Sequence, residues 1–261
     1  MFGIFDERFP VLYSVIFIVM TFILGSVIGS FLNVCIYRVP KKENITTTRS
    51  HCMACGNVIK WYDLVPVLSY ILLKGKCRYC KTKLSVQYPV IELLNGILYC
   101  LIYHVAGADI KSVLICALTS ALIVIAVIDW RTYEIPFGLN VFIMALGIIR
   151  LVSDRTNWLD HVIGAVSVSG FLLALYFATK GRGIGGGDIK LMAAAGLFLG
   201  WKNCILAFVI GCVLGSVIHI IRMKVSKEDH VLAFGPYLAA GIFIVCLWGD
   251  MIVNAYLGTF S

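Results

Sequence analysis

Charge is what this sequence has least of. Asp, Glu, Lys and Arg make up 14% of its 261 residues, against 60% hydrophobic. A soluble domain keeps roughly a quarter of its residues charged, so the polar surface here is too small to wet a globule. Acids are scarcer still, 14 against 22 Lys and Arg. A cleavable secretory leader is lacking too. The first apolar run, from about residue 11, follows Asp6, Glu7 and Arg8 rather than a basic segment, and it is long enough to stay as a span. The net charge of +8 is not gathered into a basic stripe with groove-fitting or aromatic modules, which excludes a nucleic-acid partner. No convincing internal repeat or low-complexity tract is visible.

What is there is a series of eight apolar runs, at about 11–36, 90–106, 110–128, 137–153, 159–178, 189–200, 203–221 and 232–257. Runs near 20 residues mark bilayer spans. The sequence therefore predicts an all-α polytopic membrane protein with about eight transmembrane helices in a lipid bilayer. The sixth run is too short to cross upright, so it must tilt or borrow from the glycine-rich stretch before it. Only Gly200, Trp201, Lys202 and Asn203 divide it from the seventh.

The basic residues sort by side. Ten lie in 37–89 with two acids, Glu43 and Asp63. Arg131, Lys180, Arg182, Lys190, Arg222, Lys224 and Lys227 fall on the same side of eight spans, for 17 in all. Arg8, Lys111, Arg150, Arg155 and Lys202 are the 5 on the other. The positive-inside rule makes the first side cytoplasmic, where these residues also suit anionic lipid. The predicted organisation is a first transmembrane segment (1–36), a cytoplasmic four-cysteine loop domain (37–89) and a seven-helix membrane core (90–261).

In the loop, Cys52-Met-Ala-Cys55 and Cys77-Arg-Tyr-Cys80 are paired CxxC turns. Their spacing is close to that of a zinc ribbon. The loop has too few apolar residues to fold on a core, and a metal would supply the missing free energy. Four thiolates leave zinc no open position, so Cys52, Cys55, Cys77 and Cys80 are expected to hold a structural ion. Disulfides or redox use of the pairs are the alternatives, and a cytoplasmic location disfavours stable disulfides. Cys35, Cys100, Cys116, Cys204, Cys212 and Cys246 sit in apolar runs and read as packing residues.

An ionisable residue at membrane depth is a functional candidate by default. Asp129 ends the third run and Asp188 begins the sixth, just after Gly185-Gly186-Gly187, so the topology puts both at the cytoplasmic boundary. Three glycines disfavour regular helix and allow close approach of a peptide. Two carboxylates at one depth on different spans would share a proton and act as an acid–base pair. Each alone is equally readable as a helix cap or a solvated loop end. No Ser/His or Cys/His pair competes: His104, His161 and His219 lie inside spans or on the far side, and His51 and His230 have no assignable nucleophile.

These residues together resemble the type IV prepilin leader peptidases, aspartyl proteases of the GxGD type. Gly185-Gly186-Gly187-Asp188-Ile189-Lys190-Leu191 is similar to the family's GxGD-x-K-L signature, and Asp129 through Ile135-Pro136 to its other aspartate motif. Gly29-Ser30-Phe31-Leu32-Asn33-Val34 with Tyr37-Arg38-Val39-Pro40, the paired CxxC loop with Tyr88-Pro89 and Glu92-Leu93, and Phe234-Gly235-Pro236-Tyr237 also match in order.

The resemblance implies an enzyme of the bacterial cytoplasmic membrane, with its active site and cysteine loop on the cytoplasmic face. Its substrates would be type IV prepilin or pseudopilin-like precursors, cut after a glycine where a basic leader meets a hydrophobic helix. It implies Asp129 and Asp188 as catalytic, and N-methylation of the new terminus from S-adenosylmethionine. Glu92 and Asn33 are candidates for methyl transfer or orientation of the substrate amine. A buried hydrogen-bonding pair that holds helices together is the other reading of them. Gly186, Gly187 and Lys190 are candidates for substrate contact, and Glu43, Asp63 and Glu134 for the basic leader. Two other classes use similar parts. A proton-coupled transporter would place its acids near the midplane between repeats, unlike these, and a non-catalytic assembly scaffold would need no carboxylate pair.

Overall fold

The computed structural model describes residues 10–181, 183–226 and 232–258. Asp6, Glu7, Arg8, Arg182, Lys227 and His230 lie outside them. The described residues are helical with no strand. Eight long helices correspond one for one with the eight apolar runs: α1 (Pro10–Arg38), α3 (Gln87–Ala106), α4 (Ile110–Thr132), α5 (Phe137–Ser153), α6 (Trp158–Ala178), α7 (Gly186–Leu199), α8 (Trp201–Ser226) and α9 (Gly235–Gly258). A short α2 (Leu68–Leu72) lies in the cysteine loop. Six of the described helices are long and apolar enough to cross a membrane, while α5 and α7 are shorter.

The glycine run behaves differently from its propensity. Gly186 and Gly187 are the first two residues of α7, and Gly185 alone is its extended N-cap. The first N–H groups of a helix have no intrahelical acceptor, so glycine is tolerated there as it is not in a helix interior. The short sixth run is thereby lengthened from its N-terminal side. The turn from α7 to α8 is the single residue Gly200, at φ +81°, a backbone region that favours glycine.

The chain divides into two compact units, residues 1–107 and 108–261. In the first, α3 packs on α1. Gly25 and Gly29, spaced as in a small-xxx-small stripe, lie so close to α3 that a Cβ on either would stand 2.8 Å from the Cα of Gly96 or Glu92. Asn95 Nδ2 donates to Gly25 O at 2.7 Å. This pairing draws α3 to α1, and both belong to the first compact unit.

In the second unit α4 is buried without interruption from Leu118 to Ile125. A helix that is apolar all round belongs inside a bundle, and α5 and α9 pack against it. Around the outside, α8 exposes Ile205, Val209, Val213 and Val217 in i+4 steps, and α6 exposes Val162, Val166 and Phe171. Such faces suit lipid.

The backbones of α6 and α7 meet at Gly164 and Gly196, where a Cβ on either would run into the other's carbonyl. Gly196→Val is therefore expected to lower stability by about 1–3 kcal/mol or more, read as a drop in Tm in detergent. Gly170→Ala, whose Cβ would meet nothing nearer than Val166 Cγ1 at 3.6 Å, should leave Tm unchanged.

Candidate active site

Asp129 sits in the last turn of α4, which stops at Tyr133, left-handed at φ 54°. Its side chain is buried, yet it borders a cavity of about 300 Å³. Its Oδ2 accepts the backbone N–H of Gly235, at the start of α9, at 2.8 Å. A Cβ on Gly235 would stand 2.7 Å from that oxygen, so only glycine brings the amide this close.

Asp188 lies in the first turn of α7, half-buried, and reaches the same cavity. A carboxylate there meets the positive end of the helix. Asp129 and Asp188 border one cavity from two different helices. The structure thus brings together the two carboxylates that sequence reasoning paired.

The cavity's other walls are Tyr133, Glu134, Ile135, Phe137, Lys190 and the three glycines. These glycines are not equivalent. A Cβ on Gly185 would stand 3.0 Å from Asp188 Oδ2, one on Gly187 would stand 3.0 Å from Ile135 Cβ, and one on Gly186 would meet nothing within 4 Å. Sequence reasoning named Gly186 and Gly187. The geometry constrains Gly185 and Gly187 and leaves Gly186 open. Lys190 is exposed with its Nζ 5.5 Å from the centre of the Phe137 ring. Of the three acids expected to face a basic leader, Glu134 borders this cavity, exposed. Asp63 is instead paired with Arg78 at 2.6 Å, and the hydrogen bonds from that guanidinium hold its carboxyl below the usual range.

Gly235 is the residue that sequence reasoning missed as part of the site. The available signal was Gly-Pro at the head of the last apolar run. Proline is favoured just inside a helix start, where unpaired N–H groups are ready to receive an anion.

The first unit holds a separate group of candidates. All four loop sulfurs lie within 4.8 Å of one another, with Cys52 Sγ and Cys80 Sγ 3.8 Å apart. Zn–S bonds of about 2.3 Å in a tetrahedron give S–S edges of about 3.8 Å, so the residues fit a metal ion. Hydrogen bonds to the Cys80 sulfur, first from the Thr82 side chain and then from its backbone, pull that thiol down to about 6, toward the thiolate a metal needs.

The two turns are structural repeats. His51 bridges Val58 as Lys76 bridges Lys83, and Cys52 N–H donates to Asn57 O as Cys77 N–H does to Thr82 O, each at 2.9 Å. Gly56 (φ 71°) and Lys81 (φ 60°) occupy the same left-handed position. Beyond the paired CxxC, little in the two eight-residue stretches is alike, so this repeat escapes a reading of sequence alone.

Glu92 and Asn33 line a second cavity of about 320 Å³, with the loop domain on one side and α1 and α3 on the other. They do not pair with each other. Asn33 Nδ2 donates to Gly29 O at 3.3 Å and Tyr88 O at 3.2 Å, tying α1 to the start of α3. The buried Glu92 accepts the Val67 backbone N–H at 2.8 Å. Arg38 donates to the carbonyls of Asn44, Thr48 and Arg49 and closes the chain after α1. Tyr37 stacks on Tyr88 at 5.8 Å.

Comparison with known proteins matches residues 23–106 to the bacterial peptidase A24 N-terminal domain and 116–220 to the type IV leader peptidase family. A Pseudomonas putida protein named prepilin leader peptidase/N-methyltransferase is 31% identical over 267 residues, covering 90% of this chain and 92% of that protein. Proteins of the same name from Bacillus subtilis (strain 168) and Aeromonas salmonicida (strain A449) are 33% and 30% identical, covering 90% and 92% of this chain and 96% and 94% of their own. No solved structure gives a significant match.

The glycine geometry sets a test on cleavage by any carboxylate pair here. Gly235→Ala and Gly187→Ala are expected to lower kcat about 10²-fold by shifting a reacting group. Gly186→Ala, whose Cβ meets nothing within 4 Å in the protein, should leave Tm unchanged.

Proposed function

This chain belongs to the type IV leader peptidase family, and from that premise we propose that it removes the leader from prepilin-like or pseudopilin-like precursors and methylates the amine released. The observation that carries the peptidase half is that Asp129, from the end of α4, and Asp188, from the start of α7, border one cavity. Both stand at helix ends, the depth at which a precursor's leader meets its membrane span. The glycine-lined wall leaves room for an extended backbone. The exposed carboxylate of Glu134 suits a basic leader, and Lys190 lies on the same rim.

Two neighbouring carboxylates that share one proton supply a base and an acid together. The ionised partner takes a proton from water as its oxygen attacks the scissile carbonyl carbon. The protonated partner donates to the carbonyl oxygen, and a proton passes to the leaving amine as the C–N bond breaks. The Gly235 amide holds Asp129 in place throughout.

The methyl-transfer half is assigned to the first unit. S-adenosylmethionine supplies a methyl group on a sulfonium sulfur for transfer to a free amine. Glu92 would accept and orient that amine, Asn33 would hold α1 and α3 in register behind it, and the Tyr37–Tyr88 stack offers a flat aromatic surface in the same cavity. Cys52, Cys55, Cys77 and Cys80 would bind zinc and keep residues 37–89 folded over it, while the helices after residue 90 form the membrane core. The Lys and Arg distribution supports a cytoplasmic position for the cysteine loop and both carboxylates in a bacterial membrane.

The test is a purified precursor incubated with the enzyme in detergent and followed by mass. Asp129→Asn and Asp188→Asn should each cut the cleavage rate by about 10²–10⁴-fold, while labelled methyl groups from S-adenosylmethionine still reach a pre-cleaved peptide. Cys52→Ser should give the reverse, with cleavage kept and labelling lost. A precursor left intact by folded wild type rejects the peptidase reading, and labelling that survives loss of the metal rejects the role given to the loop.

A further inference from the structure

Residues 61–72 of the loop domain turn large apolar side chains outward. In α2, Ser69 and Tyr70 line the cavity, while Leu68, Ile71 and Leu72 point outward, Leu72 at 80% exposure. The one-turn helix Trp61–Leu64 packs beside α2 and carries Trp61, 81% exposed. Val65 is exposed as well. This is a contiguous stretch of outward-facing apolar residues, and such patches mark a contact surface.

The anchoring of this segment ties it to the first turns of α3. Val67 N–H donates to Glu92 Oε2 at 2.8 Å. Glu92 lies five residues beyond Gln87, the first residue of α3, and at 1.5 Å per residue that is about 7.5 Å along the helix. The 20 residues of α3 span about 30 Å, the thickness of the hydrocarbon core. A helical side chain leans toward the N-terminus of its helix, so the start of α2 is held beside the first turns of α3, near the end of that span. Close to that level α3 exposes Val90, and Leu93 and Leu94 beyond it, the outward face of a membrane helix. The attachment is held against backbone strain. Val67 sits at φ 62°, ψ −52°, in a three-residue turn closed by Leu68 N–H to Pro66 O at 2.5 Å, a conformation that is strained for a β-branched residue.

Charge names the occupant. Lys60 stands next to Trp61, and Lys74 follows α2, both exposed. Asp63, the acid in this stretch, is neutralised by Arg78. An apolar face with an aromatic residue and flanking lysines, held at interface depth, matches anionic phospholipid: rings at the headgroup level, aliphatic side chains toward the acyl chains, ammonium groups on phosphate.

We propose that residues 60–74 form an interfacial foot that seats the four-cysteine domain in an anionic leaflet, with Trp61, Leu68, Ile71 and Leu72 in lipid and Lys60 and Lys74 on its headgroups. The foot does not depend on which reaction the enzyme carries out.

The test uses the full chain in vesicles of equal parts phosphatidylcholine and phosphatidylglycerol, with acyl chains brominated as quencher. The Trp61 signal is the difference in emission between wild type and Trp61→Phe, compared at equal Tm. The proposal expects that difference signal to be lost to bromolipid and shielded from aqueous acrylamide. It also expects Lys60→Gln with Lys74→Gln, or vesicles of phosphatidylcholine alone, to weaken the bromolipid quenching measurably. A Trp61 signal quenched by acrylamide and indifferent to bromolipid overturns the foot. Shielding that arises only when a precursor peptide is added also overturns it, because the face then belongs to a protein partner. Bromolipid quenching that is equal with and without phosphatidylglycerol overturns the assignment to anionic lipid.

Discussion

The membrane core depends on holding a carboxylate out of water while it still borders a cavity. Asp129 is buried, and a buried polar group must find partners or destabilise the fold. Its partner is a backbone amide at the start of α9, donated by a residue with no side chain to obstruct the approach. That hydrogen bond fixes one end of α9 against one end of α4, and it leaves the other carboxylate oxygen for chemistry. Asp188 is supported differently, at the head of a helix whose first residues are glycines. Each acid is thus carried on a helix end, where backbone groups are unpaired by geometry. The membrane interior is filled by helix packing that tolerates no such groups.

The same logic recurs in the first unit. Glu92, the other buried carboxylate, is also met by a backbone amide, here from the strained Val67 turn. In both places a fixed peptide dipole, rather than a mobile Lys or Arg, faces the acid. This suits a protein whose basic residues are gathered at boundaries and whose spans carry few charges. A peptide dipole costs no reorganisation when charge moves, which is the property an electrostatic site requires.

Much of this was legible in the residues. The eight apolar runs became eight helices because bilayer length and hydropathy are properties of composition, little altered by tertiary context. Asp129 and Asp188 were readable as a pair because an acid at the edge of a span has few bland explanations. The paired CxxC spacing announced four converging sulfurs. What stayed hidden depends on contacts between distant segments. The identity of the constrained glycines, Gly185 and Gly187 rather than Gly186, follows from where Asp188 and Ile135 fall in space. The role of Gly235 exists only once α9 meets α4. The repeat of the two cysteine turns is a repeat of backbone, with Lys81 in the conformation that Gly56 adopts more easily. The outward apolar face of residues 61–72 is invisible to periodicity, because α2 is only five residues long.

The central claim is that Asp129 and Asp188 work as a unit holding a single proton between them. The most direct measurement is kcat/KM for precursor cleavage across pH at fixed detergent and salt. The account predicts a bell, with activity lost at low pH when both carboxyls are protonated and lost again at high pH when both are ionised, its two limbs belonging to the pair rather than to either residue. A profile with one limb only, rising or falling to a plateau, would show that one ionisation suffices and would contradict the shared proton.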